Sequence, residues 1–258
     1  MNILFIGDVV GKSGRKSVCD LLSRINNSKY KMDLVICNAE NSAHGKGITS
    51  KIYQELLDYG VDVITMGNHT YSKREIYDFI DDADKLVVPY NIKDRKGEGY
   101  RFFNVKGKKV CVINMLGKDL MGDYMNNPYE AMKELLPKVK DADIKILDFH
   151  AESTAEKRIF FEIFKKDLDA FVGTHTHIPS ADEDIIDGCA YITDVGMCGS
   201  YKSIIGRDID ESINMYITGE KTHYTIAESD PIVNACVLHF DEDNNFKIKA
   251  IRRVQIRP

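Results

Sequence analysis

The chain has 258 residues, of which 43% are hydrophobic and 29% charged, and its net charge at pH 7 is -5. A chain of this length buries about three quarters of its unfolded surface on folding, so we expect a single domain over residues 1–258 with a core that needs no disulfides. The acidic balance provides no broad basic surface, which excludes duplex nucleic acid as a partner but leaves a small nucleotide substrate open.

Short β-branched runs alternate with helix-like segments through the first two thirds of the chain, which is the pattern of βα units and a largely parallel sheet. Strands are predicted at NILFIG, DLVIC, VDVIT, KLVVPY, KKVCVINM, IKILDF and DAFVGT. Helices are predicted between them, over residues 14–26, 50–59, 73–81, 128–139 and 155–167. The fold class is therefore α/β.

The character of the sequence changes after His177. Strand-like runs follow one another with turn signals such as DEDNN between them; they are DEDIIDG, AYITDV, HYTIAES, IVNACVLHF and FKIKAIRRVQI. This pattern predicts hairpins that complete a second sheet.

The cysteines and the N-terminal run favour a cytoplasmic protein. The six cysteines include no C-x-x-C pair and lie mostly in apolar runs, which is typical of reduced, packed thiols. The first apolar run has no basic segment before it and is interrupted at Asp8, too early for a signal peptide. No stretch approaches the roughly 18 apolar residues of a membrane span, so we expect no membrane partner.

The loop GDVVGKSG, residues 7–14, looks like a phosphate-binding P-loop but lacks its spacing. A P-loop has four residues between its glycines, whereas only three separate Gly7 from Gly11. The loop instead predicts a strand, a glycine turn and a helix start that together hold Asp8 at the edge of a sheet.

Potential metal ligands follow five of the predicted strands. They are Asp8; Glu40 and Asn41; Asn68 and His69; His150; and His175 and His177. Each has an ordinary explanation when taken alone, as a turn or cap residue, a solvated loop residue or a core histidine. Loops beyond the carboxyl ends of strands in an open α/β sheet share one edge, however. Four of the seven histidines fall at these ends, so the set predicts one shared site.

The chemistry of this set favours two metal ions. Carboxylates, amides and imidazoles without a thiolate suit borderline or hard ions such as Fe, Mn, Zn or Co. The set offers more donor atoms than a single ion would bind. Two ions about 3.5–4 Å apart, bridged by a carboxylate, would use them all and would favour in-line attack on phosphorus.

The blocks GNH and GTHTH, together with Asp8, Glu40 and His150 in order, resemble the signature of calcineurin-like metallophosphoesterases. The fuller set is similar to the YmdB-like branch of that superfamily; it consists of GDVVG, NAEN, GNHTY, DFHAE, GTHTH and DVGMCG. The resemblance covers nearly the whole chain. It implies a metallophosphoesterase-type αββα sandwich, two mixed β-sheets flanked by helices.

The resemblance also implies roles for individual residues. One metal would be bound by Asp8, Glu40, Asn41 and His177, and the other by Glu40, Asn68, His150 and His175. Glu40 then bridges the ions, a hydroxide between them attacks phosphorus, and His69 is the general acid. Two divalent or trivalent ions are implied, iron first, with Mn, Zn, Mg or Co as alternatives.

The sequence departs from the broad superfamily at four positions. Val10 stands where a metal-binding histidine is usual, and Asn41 is the replacement in the YmdB-like branch. Glu40 takes the place of a bridging aspartate. Thr70 follows the GNH block where an acidic residue is common, so the group that orients His69 is left open.

The implied activity is a phosphodiesterase acting on cyclic nucleotides, with 2′,3′-cyclic nucleotides first and 3′,5′-cyclic AMP second. One alternative is a phosphomonoesterase or nucleotidase with the same metals. Another is a regulatory protein that binds a nucleotide or RNA without turnover, although the completeness of the ligand set argues against it.

Three further loops each have two interpretations, and two further histidines have a structural one. The loop HGKG could bring His44 or Lys46 to a phosphate, or it is a plain surface loop. The glycines of DVGMCGS, residues 194–200, could let backbone N–H groups approach a phosphate, or form an ordinary turn. The loop over residues 116–128 is long enough for a substrate lid or a contact in a homo-oligomer. His223 and His239 are predicted to be structural.

Overall fold

The structure is a computed structural model that describes residues 1–220 and 224–258. Within these residues the strands are, in chain order, β1 (Asn2–Ile6), β2 (Asp8–Val9), β3 (Leu34–Asn38), β4 (Val63–Thr65), β5 (Leu86–Val87), β6 (Tyr100–Val105), β7 (Lys108–Leu116), β8 (Ile144–His150), β9 (Ala170–Thr174), β10 (Asp184–Ile186), β11 (Cys189–Ile192), β12 (Met197–Ser200), β13 (Pro231–Asp241) and β14 (Lys247–Ile256). The α-helices are α1 (Gly11–Asn26), α2 (Ser50–Asp58), α3 (Pro128–Leu135), α4 (Thr154–Phe164) and α5 (Ile209–Thr218).

The described strands form two mixed sheets. In the first, of eight strands, the order is β2-β12-β13-β1-β3-β4-β5, and β14 pairs with β13. In the second, of six strands, the order is β10-β11-β9-β8-β7-β6. Strands β1, β3, β4 and β5 run parallel to one another, as do β7, β8, β9 and β11. The carboxyl ends of β1, β3 and β4, and those of β8 and β9, are where the predicted ligands begin.

The sheets pack face to face, because their strands carry apolar residues on both faces. In β1, Ile3 and Phe5 point into the core between the sheets, whereas Leu4 and Ile6 point to the helix side. Helices α1 and α2 cover that side of the first sheet, and α3 and α4 cover the outer face of the second. These four layers confirm the αββα sandwich that the family resemblance implies.

Polar caps start most of the helices where the sequence signals them. Backbone N–H groups of the first turn donate to the side chains of Thr49, Asn127, Ser153 and Asp208, which precede α2, α3, α4 and α5. The helix predicted over 14–26 begins earlier, at Gly11, because β2 ends at Val9 and its pairing with β12 leads straight into the helix.

Two predicted helices are shorter than expected. The segment predicted over 73–81 is a 3-10 helix, Arg74–Asp78, whose hydrogen bonds span three residues. The helix predicted over 128–139 is α-helical only to Leu135 and continues as a 3-10 turn, because Pro137 has no N–H for an α-helical bond. The helix predicted over 155–167 is confirmed as α4, with its end at Phe164.

The predicted arrangement of the late strands is right in part. The hairpins β10–β11 and β13–β14 are present, and β10 and β11 join the second sheet, but β13 and β14 join the first, as does β12. Likewise, the earlier strands do not form one parallel sheet, since β7, β8 and β9 lie in the second. Long-range pairing decides this, as in the antiparallel pairing of Ile3 with Leu238.

Four helices or strands were not predicted, and one predicted strand is absent from the described residues. The missed elements are β2, β6, β12 and α5. The run HYTIAES begins at His223, which lies outside the described part of the chain together with residues 221 and 222; beyond them, Ile226 makes an isolated bridge with Arg207.

The thiols agree with the prediction of reduced, packed cysteines. All six are free, and five of them are buried; Cys19 is the partly exposed one. In the residues that the structure describes, no helix combines the length and the apolar character needed to cross a membrane.

Candidate metal centre

The predicted ligands meet at one end of the sandwich, where strands of both sheets open. Asp8 follows β1, Glu40 and Asn41 follow β3, Asn68 and His69 follow β4, His150 ends β8, and His175 and His177 follow β9. The structure therefore brings these residues together, but two sheets contribute them rather than one edge of a single sheet.

The densest part of the site surrounds one nitrogen of His150. Its Nε2 lies 2.9 Å from Asn68 Oδ1, 3.0 Å from His175 Nδ1 and 3.1 Å from Glu40 Oε1. Candidate ligand atoms of Glu40, His150 and His175 all lie within 4.8 Å of one another. Because these atoms offer lone pairs, the group could hold a metal ion.

Gly67, the first residue of the GNH block, leaves room for this group. A Cβ placed there would collide with Glu40 Oε2 and His150 Nε2. Any other residue at this position would therefore push the candidate ligands apart, which explains why the block begins with glycine.

The second part of the site contains Asp8, Asn41 and His177. Asp8 is fully buried; its Oδ2 accepts a hydrogen bond from the backbone N–H of His175 at 3.2 Å, and its Oδ1 has no hydrogen-bond partner among the described residues, although His150 Nδ1 lies 3.7 Å away. Asn41 Oδ1 and His177 Nε2 lie 3.2 Å apart. A buried carboxylate oxygen without a hydrogen bond is costly, and a cation bound there would satisfy it.

Backbone carbonyls orient the side chains of this second part. Asn41 donates from Nδ2 to Gly45 O at 2.9 Å, which turns its Oδ1 toward the site. His177 Nδ1 lies 2.8 Å from Ile205 O, so that nitrogen carries the hydrogen and Nε2 is left as the ligand atom.

The loop that carries both late histidines is held in an unusual conformation. His175 has φ of 102° and His177 has φ of 67°, which non-glycine residues seldom adopt. The fully buried ammonium of Lys157 donates to Thr174 O and to Asp194 Oδ2, both at 2.8 Å, and Asp194 Oδ2 also accepts from Thr176 N at 3.0 Å. This buried ion pair therefore fixes the backbone on both sides of His175.

Ionisation in the site follows from burial and close charges. Burial raises the pKa of Asp8 to about 6, although His177 and His150 oppose the shift. Burial would also raise the pKa of Glu40, but the charge and hydrogen bond of His150 outweigh it and hold that pKa at about 2. The same pairing raises the pKa of His150 to about 9 against the effect of burial. A metal ion at this position would replace the proton on His150.

His69 lies beside these groups but has a different set of contacts. Its backbone N–H donates to Glu40 Oε2 at 2.8 Å, and its ring Nδ1 is 3.4 Å from Ser72 Oγ. Burial lowers the pKa of His69. Thr70 does not orient the ring, because its hydroxyl donates to Gly67 O at 2.6 Å and closes the turn; the nearby polar group is Ser72.

The glycine loop at residues 44–47 packs against the second part of the site. Gly47 N donates to Glu40 O at 2.5 Å and Gly45 N to Asn41 O at 3.1 Å. The side chains of His44 and Lys46 are exposed, and Lys46 Nζ lies 5.3 Å from the centre of the Tyr224 ring.

The backbone N–H groups of residues 194–197 already have partners within the chain. Those of Asp194, Val195, Gly196 and Met197 donate to Ser180 Oγ, Gly173 O, Asp194 Oδ1 and His177 O. Of the two interpretations of this segment, these partners favour the ordinary turn over residues 194–197. His239 is structural as predicted: it lies on β13, and its Nδ1 is 2.7 Å from Asn2 Oδ1.

Sequence reasoning missed a set of buried polar groups that lie close to the candidate ligands. They are Asn38, Thr65, Asp148, Lys157, Thr174 and Asp194, all of which are buried. A signal was present in the strand IKILDFH, where Asp148 interrupts an apolar run that is buried on both faces. A charged residue at such a position needs partners.

The four-layer sandwich, with carboxylate, amide and imidazole groups gathered at its strand ends, defines a metallophosphoesterase-type protein. The chain belongs to the family of YmdB-like proteins, whose family model matches residues 4–254. The family expectation from the sequence is confirmed.

Curated relatives span almost the whole chain. It is 41% identical over 259 residues to the 2′,3′-cyclic-nucleotide 2′-phosphodiesterase of Bacillus subtilis (strain 168), covering 99% of this chain and 97% of that protein. It is 38% identical over 268 residues to a putative phosphatase/phosphodiesterase of Mycoplasma pneumoniae, covering 100% and 95%.

Two solved structures share the fold over nearly their full length. One is a hypothetical protein from Thermus thermophilus, with a TM-score of 0.92, 32% identity and 99% of both chains covered. The other is a novel phosphatase from Mycoplasma pneumoniae, also with a TM-score of 0.92, with 38% identity and coverage of 99% of this chain and 93% of that one.

Proposed function

We propose that the protein is a dinuclear metal-dependent phosphodiesterase of the cytoplasm that hydrolyses cyclic nucleotides, 2′,3′-cyclic nucleotides first. The chain is a phosphoesterase, since it belongs to a family whose full-length relatives are named for phosphodiesterase or phosphatase activity. The observation that carries the metal centre is the convergence of oxygen and nitrogen ligand atoms on His150 Nε2, beside a buried oxygen of Asp8 that accepts no hydrogen bond from the described residues.

In this proposal the two groups of ligands hold one ion each. Glu40, Asn68, His150 and His175 hold the first; Asp8, Glu40, Asn41 and His177 hold the second. The ions would polarise the phosphoryl group and activate a water molecule. Iron is the first choice, with Mn, Zn, Mg or Co as alternatives, because the ligands are oxygen and nitrogen atoms without a thiolate.

His69 acts as the general acid. It is adjacent to Glu40 through its backbone, and its ring makes none of the ligand-to-ligand contacts that join the other histidines. The contact of Nδ1 with Ser72 leaves Nε2 to give a proton to the leaving oxygen. A positioned imidazole in this role contributes about 10²–10⁴-fold to the rate.

Phosphomonoester hydrolysis is the second candidate function. It is favoured by the name of the Mycoplasma pneumoniae relative, which includes both phosphatase and phosphodiesterase. The two activities share the metal centre and differ in whether the phosphate carries a second ester.

The test is a substrate panel on the metal-loaded full chain, with metal analysis of the same sample. The panel contains bis-p-nitrophenyl phosphate, p-nitrophenyl phosphate, and 2′,3′- and 3′,5′-cyclic nucleotides. We expect the 2′,3′-cyclic nucleotides to give the highest kcat/KM. Preference for p-nitrophenyl phosphate would favour the phosphomonoesterase. If no ester is hydrolysed, both proposed activities are wrong, and a non-catalytic nucleotide- or RNA-binding protein is favoured instead.

The variant His69→Ala tests the general acid. Its metal content should stay near that of wild type while turnover falls by about 10²–10⁴-fold. His239→Ala is the control, because His239 is bonded to Asn2 on β13 and belongs to no part of the proposed centre. If His69→Ala lost its metals, His69 would be a ligand and not an acid.

A further inference from the structure

A buried carboxylate links the two sheets directly beneath the candidate metal centre. Asp148 Oδ2 accepts from Asn38 Nδ2 at 3.0 Å and from Thr65 Oγ1 at 2.5 Å, and its Oδ1 accepts from Thr174 Oγ1 at 2.6 Å. Asn38 and Thr65 end β3 and β4 of the first sheet, whereas Asp148 and Thr174 lie on β8 and β9 of the second. All four side chains are fully buried.

The hydroxyl of Thr174 connects this carboxylate to His150. A hydroxyl has one hydrogen to donate, and that of Thr174 goes to Asp148. Toward His150 Nδ1, which is 2.9 Å away, Thr174 Oγ1 can then only accept. The ring must therefore carry a hydrogen on Nδ1, which orients Nε2 toward Glu40, Asn68 and His175.

We infer that Thr174, held by Asp148, is the positioning residue that presents His150 Nε2 to a metal ion. The inference rests on the proposed metal centre and deepens it by assigning the support of its most crowded ligand. Groups that hold the second nitrogen of a metal-binding histidine fix its orientation, and their loss typically lowers metal affinity by about 10–100-fold.

Three variants separate this role from ordinary packing. Thr174→Val keeps the shape and removes the hydroxyl, and Thr174→Ser restores it. Thr65→Val is the matched control, because it removes a second threonine hydroxyl from the same carboxylate without touching His150. The measurement is Zn²⁺ affinity of the full chain, by competition with a chelating dye.

We expect Zn²⁺ affinity to fall by about 10–100-fold in Thr174→Val, and to stay near wild type in Thr174→Ser and Thr65→Val. Equal losses in Thr174→Val and Thr65→Val would show that Asp148 matters only for packing, and would overturn the inference. So would wild-type affinity in Thr174→Val.

A second measurement on the wild type decides the matter even if Thr174→Val does not fold. Long-range ¹H–¹⁵N spectra of the zinc-loaded protein should show His150 protonated on Nδ1 and bound through Nε2. A hydrogen on Nε2 would overturn the inference.

The outcomes are distinguishable from those of the proposed function. If the wild type hydrolyses no ester but Thr174→Val still loses Zn²⁺ affinity, the activity is wrong and the positioning role stands. If the wild type hydrolyses diesters and Thr174→Val binds Zn²⁺ normally, the proposed activity stands and the positioning role of Thr174 is wrong.

Discussion

The two halves of the candidate metal centre are built differently. In the His150 half, which contains Glu40, Asn68, His150 and His175, three ligand atoms lie within 3.1 Å of one nitrogen. In the Asp8 half, which contains Asp8, Asn41 and His177, the ligand atoms make a single contact of 3.2 Å with one another, and Asp8 Oδ1 has no hydrogen-bond partner in the described chain and lies 3.7 Å from His150 Nδ1.

The two halves also differ in the groups that hold their candidate ligands in place. His150 is held by the side chains of Thr174 and Asp148, which lie in the core between strands. Asn41 and His177 are held by the carbonyls of Gly45 and Ile205, which lie in loops. Loops open more readily than core strands, so we expect the His150 half to bind its ion more tightly.

The largest effect is expected from Glu40→Ala, which tests whether the halves are joined. Glu40 is the proposed bridge, so both ions should be lost together and turnover should fall to background. Metal analysis and the diester assay measure this. Retention of one ion would show that the halves are independent and that Glu40 belongs to one of them.

Lys157→Met should affect both halves through stability. Lys157 and Asp194 are a buried pair, and removing one partner of such a pair typically costs about 3–5 kcal/mol in free energy of unfolding. Chemical denaturation measures this. Lys133→Met is the control, because the pair of Lys133 with Glu130 is exposed and worth at most about 1 kcal/mol. Equal losses would mean that the buried pair does not hold the histidine loop.

Asn41→Ala and Asn68→Ala compare the halves directly. Each removes one amide ligand, from the Asp8 half and the His150 half respectively. We expect Asn41→Ala to purify with one ion of the two, because loop carbonyls hold its half, and Asn68→Ala to retain more metal, because core side chains hold His150 beside its ion. Metal analysis after dialysis measures this. If Asn68→Ala lost more metal than Asn41→Ala, the His150 half would not be the more firmly held of the two.

The positions of the candidate ligands were predictable from the sequence because local pattern and chemistry coincide there. Apolar runs mark the strands, and Glu40, Asn68 and His150 stand where those runs end. The buried polar groups around these residues were not predictable, because a hydrogen bond such as that between Asn38 and Asp148 joins residues 110 positions apart. Residues so far apart in the chain leave no periodic pattern in the local sequence.

The fold shows the same division between local and distant information. Most helices and strands follow from periodicity and caps, but the assignment of strands to two sheets depends on pairings across the whole chain. Helix α5 was missed because it buries only Ser212 and leaves Ile213 and Tyr216 exposed. Its signals were the cap at Asp208 and the left-handed Gly219, at φ 72°.

The smallest predicted effect concerns the loop that supports the Asp8 half. Gly45 has φ of 83°, and a Cβ there would lie 2.5 Å from the Tyr224 ring. Gly107 has a similar φ of 76°, but a Cβ there would meet nothing within 4 Å. Gly45→Ala and Gly107→Ala should therefore share a backbone cost of about 1–2 kcal/mol.

The contact with Tyr224 should separate the two variants in metal binding. Because Gly45 O accepts the hydrogen bond that orients Asn41, displacing Gly45 from the ring also displaces that ligand. We expect Gly45→Ala to release the ion of the Asp8 half more readily on dialysis, whereas Gly107→Ala keeps both. Equal metal retention at equal loss of stability would mean that the carbonyl of Gly45 does not control Asn41, and that the Asp8 half needs no support from its loop.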